Sequence, residues 1–366
     1  MTSAPMIVAK RDYSLTGPES ARAVEQGLAS AEWYHSDIPR KEMKALMRRS
    51  DDAANRDTII WFGLLIATAA LGIALWGSWA AVPFFAAYGV LYGSACDSRW
   101  HECSHGTAFK TEWKNDLVYQ IASFMVMRNP VSWRWSHARH HTDTIIVGRD
   151  PEIAVMRPPE MALLALKYIG LPDGFYDLRR LVLNAAGQLS AEEEKYIPET
   201  ERPKAVFWAR VHVAVYAATV LLALVMQSIL PLILIGGPRV FGCWHMVMTG
   251  LMQHGGMAED VLDHRLNSRT VLLNPASRWI YWNMNYHVEH HMFPMVPYHA
   301  LPALHALIKD DLPAPDRSIF EAYRKMIAAV WRQRTELGHA IRPVLPLSAR
   351  PYREDLHDME IVREGA

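Results

Sequence analysis

The chain has 366 residues, 51% of them hydrophobic, and its 38 Lys and Arg are balanced by 38 Asp and Glu. That balance leaves no basic excess for a nucleic-acid partner, and the length admits one large domain or two ordinary ones. Cys96, Cys103 and Cys243 are too scattered for a disulfide framework or a cysteine-ligated iron–sulfur domain.

Residues 1–57 are polar, carry both charge signs and contain no signal-peptide pattern, so they read as a cytoplasmic N-terminal segment. From Thr58 to Ser98 the chain is apolar, with no charge before Asp97. This block is long enough for two bilayer crossings of roughly 18–20 residues each, turning at Gly77, Ser78 and Trp79. A charge-free run of that length argues against a buried soluble hairpin. A second block, Val211 to Leu251, breaks near Gln227 to Pro231 and again allows two crossings.

Lys and Arg are absent from both turns but frequent at the opposite ends, as at Arg48, Arg49, Arg99, Lys110, Arg202 and Lys204. The positive-inside rule then puts both termini and the segment from Arg99 to Arg210 in the cytoplasm. Leu117–Met127 and Met161–Leu171 are too short to span and read as interfacial or core helices. Residues 312–366 form a polar C-terminal extension. The expected fold is an all-α integral membrane protein, with four transmembrane helices in two hairpins. A cytoplasmic helical cap completes the membrane domain, residues 58–311.

Histidine, at 17 residues, is unusually frequent, and its spacing is the main signal. His101 and His105 form His-x3-His in RWHECSHG, directly after the second crossing. His137, His140 and His141 form His-x2-His-His in RWSHARHHTD, and His287, His290 and His291 repeat it in NMNYHVEHHMFP. At this chain's histidine frequency, chance gives about 0.04 such triplets. Positions i, i+3 and i+4 share a helix face, while adjacent rings diverge by about 100°, which suits neighbours to different metal ions. The second hairpin must return to the same membrane face, where it delivers His254 in LMQHGG. Nine imidazoles exceed what one structural zinc needs and fit two ions, with iron, copper and nickel all compatible with the donor type. Glu102, Asp143, Asp150 and Glu289 lie close enough in sequence to orient those rings. Near the second box, Arg134 and Arg139 with Trp133 and Trp135 offer a cationic, partly apolar surface for an acidic carrier. Arg239, in LILIGGPRVFG, is a costly charge within the second apolar block and a candidate to hold a substrate carboxylate.

These boxes, their order and the intervening crossings resemble the membrane fatty-acid desaturase and hydroxylase superfamily, over roughly Thr58 to Ile308. The resemblance implies two ferrous ions held by His101, His105, His137, His140, His141, His254, His287, His290 and His291. It also implies reduction of dioxygen and loss of hydrogen from an unactivated C–H bond of an aliphatic or acyl substrate. Desaturation is the expected outcome, with hydroxylation or demethylation as the alternative. The stretches EDVLDHRLNSRTVLLNP and YWNMNYHVEHHMFPMVPYHALPALH are similar to rhizobial members acting on small amino compounds, of the dihydrorhizobitoxine desaturase and rhizopine oxygenase types. No His-Pro-Gly-Gly haem motif is present, and neither haem nor bound flavin is expected. Electrons are therefore expected from a separate ferredoxin-type carrier and its reductase, at a bacterial inner membrane. A membrane metal transporter is disfavoured, because transporters place ionisable ligands within their crossings.

Overall fold

A serine begins the first long helix of the computed structural model, which describes residues 11–353, 357 and 361–365. Ser50 accepts a hydrogen bond from Asp52 N, and Asp51 and Asp52 place negative charge in the first turn. This helix, α1 (Asp51–Ala74), is antiparallel to α2 (Val82–Gly93), and the two meet across the Gly77 turn, where φ is +88°. At Ser94 the chain kinks into α3 (Ala95–Ser104), the helix of the first histidine box.

Among the described residues three helical stretches, Arg40–Ala74, Trp79–Ser104 and Glu199–Met226, are long and apolar enough to cross a membrane. The share buried is 22% and 17% for the first and third but 56% for the second, which makes the second the inner one. The outer two expose large apolar side chains, among them Ile59, Ile66, Leu221 and Val225, a surface suited to lipid. Trp76 and Trp79 are exposed at the end of the first hairpin.

The segment expected to make the fourth crossing is broken. After α8 (Arg202–Met226) the second apolar block forms three short helices: Leu230–Leu234, Pro238–Phe241 and α9 (Trp244–His254). Gly236, with φ +85°, and Pro238 break the run. What holds the broken piece is a glycine seam. A Cβ on Gly242 would lie 1.8 Å from Gly89 O, and one on Gly93 would lie 2.3 Å from Pro238 O. Ser94 Oγ closes the seam by donating to Gly242 O at 2.6 Å and accepting from Met246 N at 2.9 Å.

On this frame sit α4 (Glu112–Met125), α5 (Pro130–Thr142), α6 (Met161–Lys167) and α7 (Leu171–Ala185). The segments expected to lie at the interface or in the core are α4 and α6. α7 is also amphipathic, exposing Leu171, Phe175 and Val182 while burying Asp177, Leu181 and Asn184. The third box is the short helix α10 (His287–Met292), and α11 (Ile319–Arg332) packs its buried face against α9. Residues from both flanking segments, Tyr34 and Met326 among them, share the main core with the box helices.

The seam makes a testable distinction. Gly242→Ala should destabilise the protein by about 2–3 kcal/mol, since the obstructing atoms are backbone. Gly63→Ala, whose Cβ meets nothing within 4 Å, should change stability by less than about 1 kcal/mol. Melting in detergent measures both, and equal melting points for the two variants would rule the seam out as a constraint.

Candidate metal centre

The helices of the second and first histidine boxes are held in place by side chains of their own segments. For α5, Asn129 caps the first turn by accepting from Val131 N and Ser132 N, with Pro130 at the first helical position. The same Asn129 donates to Asn184 on α7 and to Ala205 O on α8, so the cap also sets where the helix sits. For α3, Arg99 is fully buried, hydrogen-bonds Ile280 O and lies over the rings of Trp61, Trp279 and Trp282 at 4.8–5.3 Å.

All nine histidines come together, in two groups. The first is His101, His105, His137, His141 and His290; the second is His140, His254, His287 and His291. Within each group the ligating nitrogens lie within 4.8 Å of one another. The 100° divergence of adjacent rings is visible here: His140 and His141 fall in different groups, as do His290 and His291. The i, i+4 pairs His101/His105, His137/His141 and His287/His291 each stay together.

The nitrogens face each other closely. His101 Nε2 is 2.7 Å from His290 Nε2, His105 Nε2 is 3.1 Å from His137 Nε2, and His287 Nε2 is 3.0 Å from both His254 Nε2 and His291 Nε2. Burial first, and the neighbouring imidazoles second, hold His137, His141, His287, His290 and His291 well below the usual histidine pKa. His105 is pushed down to about 4, chiefly by burial. For His140 burial acts downward too, but the Asp150 carboxylate outweighs it and the pKa rises. Largely uncharged rings with converging lone pairs form a donor set that fits two metal ions.

The orienting groups are partly those expected. Asp150 accepts from His140 Nδ1 at 2.8 Å and is itself held by Ile145 N. Glu102 instead receives Thr107 Oγ1 and Tyr298 N, Asp143 pairs with Arg139 and Arg149, and Glu289 receives Thr270 Oγ1 and His305 Nδ1. Among the described residues no hydrogen bond joins any of these three to one of the nine rings. Sequence reasoning missed Glu152, which accepts from His137 Nδ1 at 3.1 Å, and the Asn267 carbonyl, 2.8 Å from His254 Nδ1. Glu152 lies two residues beyond Asp150 in the same loop, and that spacing was the available signal.

A cavity of about 310 Å3 reaches five of the nine, His101, His137, His140, His254 and His287. Its wall combines apolar groups such as Val247 and Leu251 with four ion pairs: Asp97–Arg128, Lys167–Asp173, Asp177–Arg239 and Arg157–Glu259. Arg239 is thus at the cavity wall. It is 1% exposed, bonded to Asp177 at 2.9 Å and to Val126 O at 3.2 Å. Of the surface expected beside the second box, Arg134 is exposed and pairs with Asp116, Arg139 is paired with Asp143, and Trp133 packs on Trp100.

Replacing an orienting carboxylate should weaken metal binding by about tenfold to a hundredfold. Asp150→Asn and Glu152→Gln should therefore lower metal affinity in a competition titration, whereas Asp143→Asn should not. An undiminished affinity in both of the first two would overturn their assigned role.

A family model described as "Fatty acid desaturase" matches residues 76–323. Among curated proteins the chain is 33% identical to the omega-6 fatty acid desaturase, endoplasmic reticulum isozyme 1, of Glycine max, over 24% of this chain and 23% of that one. It is 27% identical to the chloroplastic omega-3 fatty acid desaturase of Glycine max, over 70% and 60% of the two chains. It is 28% identical to the sphingolipid delta(4)-desaturase/C4-monooxygenase DES2 of Rattus norvegicus, over 74% and 82%. The matched regions span between 23% and 60% of the two Glycine max proteins. With the family model covering well over half of its residues, the chain belongs to the fatty acid desaturase family.

Proposed function

We propose that this chain is a membrane di-iron oxidoreductase that uses dioxygen and external electrons to desaturate an aliphatic C–C bond. The observation that carries the reading is the division of nine histidines, six of them buried, into groups of five and four. Structural zinc takes four ligands in one tetrahedral site, whereas two nitrogen-rich sites side by side suit a pair of redox-active ions. Bound there, two irons would supply reduction of dioxygen and removal of hydrogen from an unactivated C–H bond. His101, His105, His137, His141 and His290 hold one ion, and His140, His254, His287 and His291 the other.

The chain's own residues have separable tasks in this reading. Asp150 and Glu152 keep the Nδ1 protons of His140 and His137, which leaves both Nε2 atoms free to ligate. The Asn267 carbonyl does the same for His254. Val247, Leu251 and Trp100 line the approach and keep water from the reacting carbon.

In the membrane, the broken segment from Leu230 to His254 acts as a fourth crossing made in pieces, with Arg239 neutralised by Asp177 at depth. Both termini and the histidines then face the cytoplasm of a bacterial inner membrane. Electrons come from a ferredoxin-type carrier and its reductase. The side presenting His105 and His141, both only partly buried, together with exposed Arg134, is the approach for that carrier. Ion pairs in the cavity wall favour a small amino-acid-like substrate, as in the rhizobial members, over a fatty acyl chain. Hydroxylation or demethylation remains the alternative outcome. The name of the Rattus norvegicus relative joins desaturase and monooxygenase, so both outcomes are attached to one relative.

Metal analysis of the purified chain should give about two irons. His141→Ala and His290→Ala should lose turnover and iron, while His299→Ala keeps both. A single stoichiometric zinc would sink the mechanism. Turnover should also require an added ferredoxin-type carrier and reductase, and activity with NADH alone in a carrier-free preparation would exclude that requirement.

A further inference from the structure

The ion pairs of the cavity are not equivalent. Lys167–Asp173 is the most open, with side chains 22% and 31% exposed, but among these charges only Asp97 shares a helix with a box histidine. Arg239 and Asp177 are sealed, with side chains 1% and 8% exposed; Arg239 bonds Asp177 and a carbonyl, and its Nη1, without a partner among the described residues, is buried. Arg128 and Asp97, also enclosed by the fold, keep 15% and 18% of their side-chain surface, and both line the cavity. Arg128 gives only Nη1 to Asp97 Oδ1, at 2.8 Å, and its Nε has no partner among the described residues. No hydrogen bond from a described residue occupies Asp97 Oδ2. The guanidinium lies over Trp133 at 4.0 Å and Trp100 at 5.2 Å, which fixes its plane without using its N–H groups.

Position makes this pair consequential. Asp97 and His101 are four residues apart on α3, hence on one face, with a rise of about 6 Å between them. Trp100, under the guanidinium, also packs against the rings of His137 and His101, at 5.4 and 6.3 Å. A methylene chain laid across an open ion pair would strip water from both charges and return no hydrogen bond, which is unfavourable. A ligand with its own adjacent opposite charges returns both: its carboxylate meets Arg128 and its ammonium meets Asp97.

We propose that Asp97 and Arg128 form the head-group subsite for a small α-amino acid, whose aliphatic side chain runs toward the histidines along Trp100, Val247 and Leu251. This rests on the oxidoreductase reading above and deepens it. The pair presents its charges side by side, which matches the α-amino acid head and not a chain charged at its two ends. The short rise to His101 brings carbons a few bonds from the α-carbon beside the centre. Arg128, and not Arg239, is then the cation that receives the carboxylate.

Titration calorimetry on the full-length, iron-loaded protein in detergent tests this with four probes: L-norleucine, hexanoate, hexylamine and oleate. L-Norleucine should bind at least about tenfold more tightly than either single-charge analogue. Asp97→Asn and Arg128→Gln should each reduce it to their level, with iron content and melting temperature retained, and Arg128→Lys should recover part of the loss. Oleate binding more tightly than L-norleucine, or L-norleucine binding no better than hexanoate and hexylamine, would overturn the subsite. If Arg128→Gln fails to fold because it leaves Trp133 and Trp100 unpacked, Asp97→Asn and the panel on the unaltered protein still decide. The two readings fail separately. Retained L-norleucine preference in a protein with neither iron nor dioxygen consumption would defeat the oxidoreductase reading alone. Iron-dependent oxidation of oleate without any L-norleucine preference would defeat the subsite alone.

Discussion

Eight imidazoles whose Nε2 atoms approach one another to 2.7–3.2 Å, with the ring of His140 grouped beside them, are the constraint on which the other features depend. Lone pairs so close repel unless a proton or a cation lies between them, and burial disfavours the proton. Each nitrogen left without a partner in such a place costs about 1–3 kcal/mol. His141, His287 and His290 additionally bury Nδ1 atoms with no partner among the described residues. A structure that accepts these terms must gain its stability elsewhere, and the surroundings are built for it. Arg99 is clasped by three tryptophans and a carbonyl; Tyr298 donates to Asp57 at 2.8 Å while its backbone N–H reaches Glu102. Asn129 joins α5 to α7 and α8. These contacts hold the box helices against one another independently of any bound ion.

That division of labour explains which parts of the molecule were legible in the sequence. A ligand set is written locally, as a spacing on one helix face. The two triplets and the pair therefore announce themselves, and even the split between neighbours follows from the helical angle. His254, a single residue, was readable only through topology, because the second apolar block had to return to the same face. Orienting groups are different, since they depend on loop geometry. Glu102 and Glu289 sit inside the boxes but turn away from the rings, toward Tyr298 N and Thr270 Oγ1. Glu152, outside any box, reaches His137 because the loop after α5 folds back on it. Hydropathy failed in a related way at the fourth crossing. It measures apolarity and not continuity, and the seam of Gly89, Gly93 and Gly242 replaces a helix with close backbone contact.

The broken segment has a consequence for the cavity. A continuous helix from Leu230 onward would pass α2 at ordinary helix separation. The seam instead draws Pro238–Phe241 against α2 and places Arg239 beside Asp177 of α7 and Val126 O. An interior lined by ion pairs becomes tenable here only because each charge has a partner: Arg239 with Asp177, Lys167 with Asp173, Arg128 with Asp97, Arg157 with Glu259. The curated relatives reported above are named for fatty-acid or sphingolipid substrates, and the wall carries apolar side chains, Trp100, Val247 and Leu251 among them, beside its ion pairs.

The two histidine groups also differ in surroundings, and the difference orders the site. In the first, His105 and His141 keep some exposure, while His101 and His137 meet the cavity. In the second, His140 is fixed by Asp150, His254 by the Asn267 carbonyl, and His291 lies beside Thr144 Oγ1 at 3.2 Å. The four-histidine group is therefore the more firmly tethered, while both groups reach the cavity, the second through His140, His254 and His287, and both keep some exposure, the second at His254.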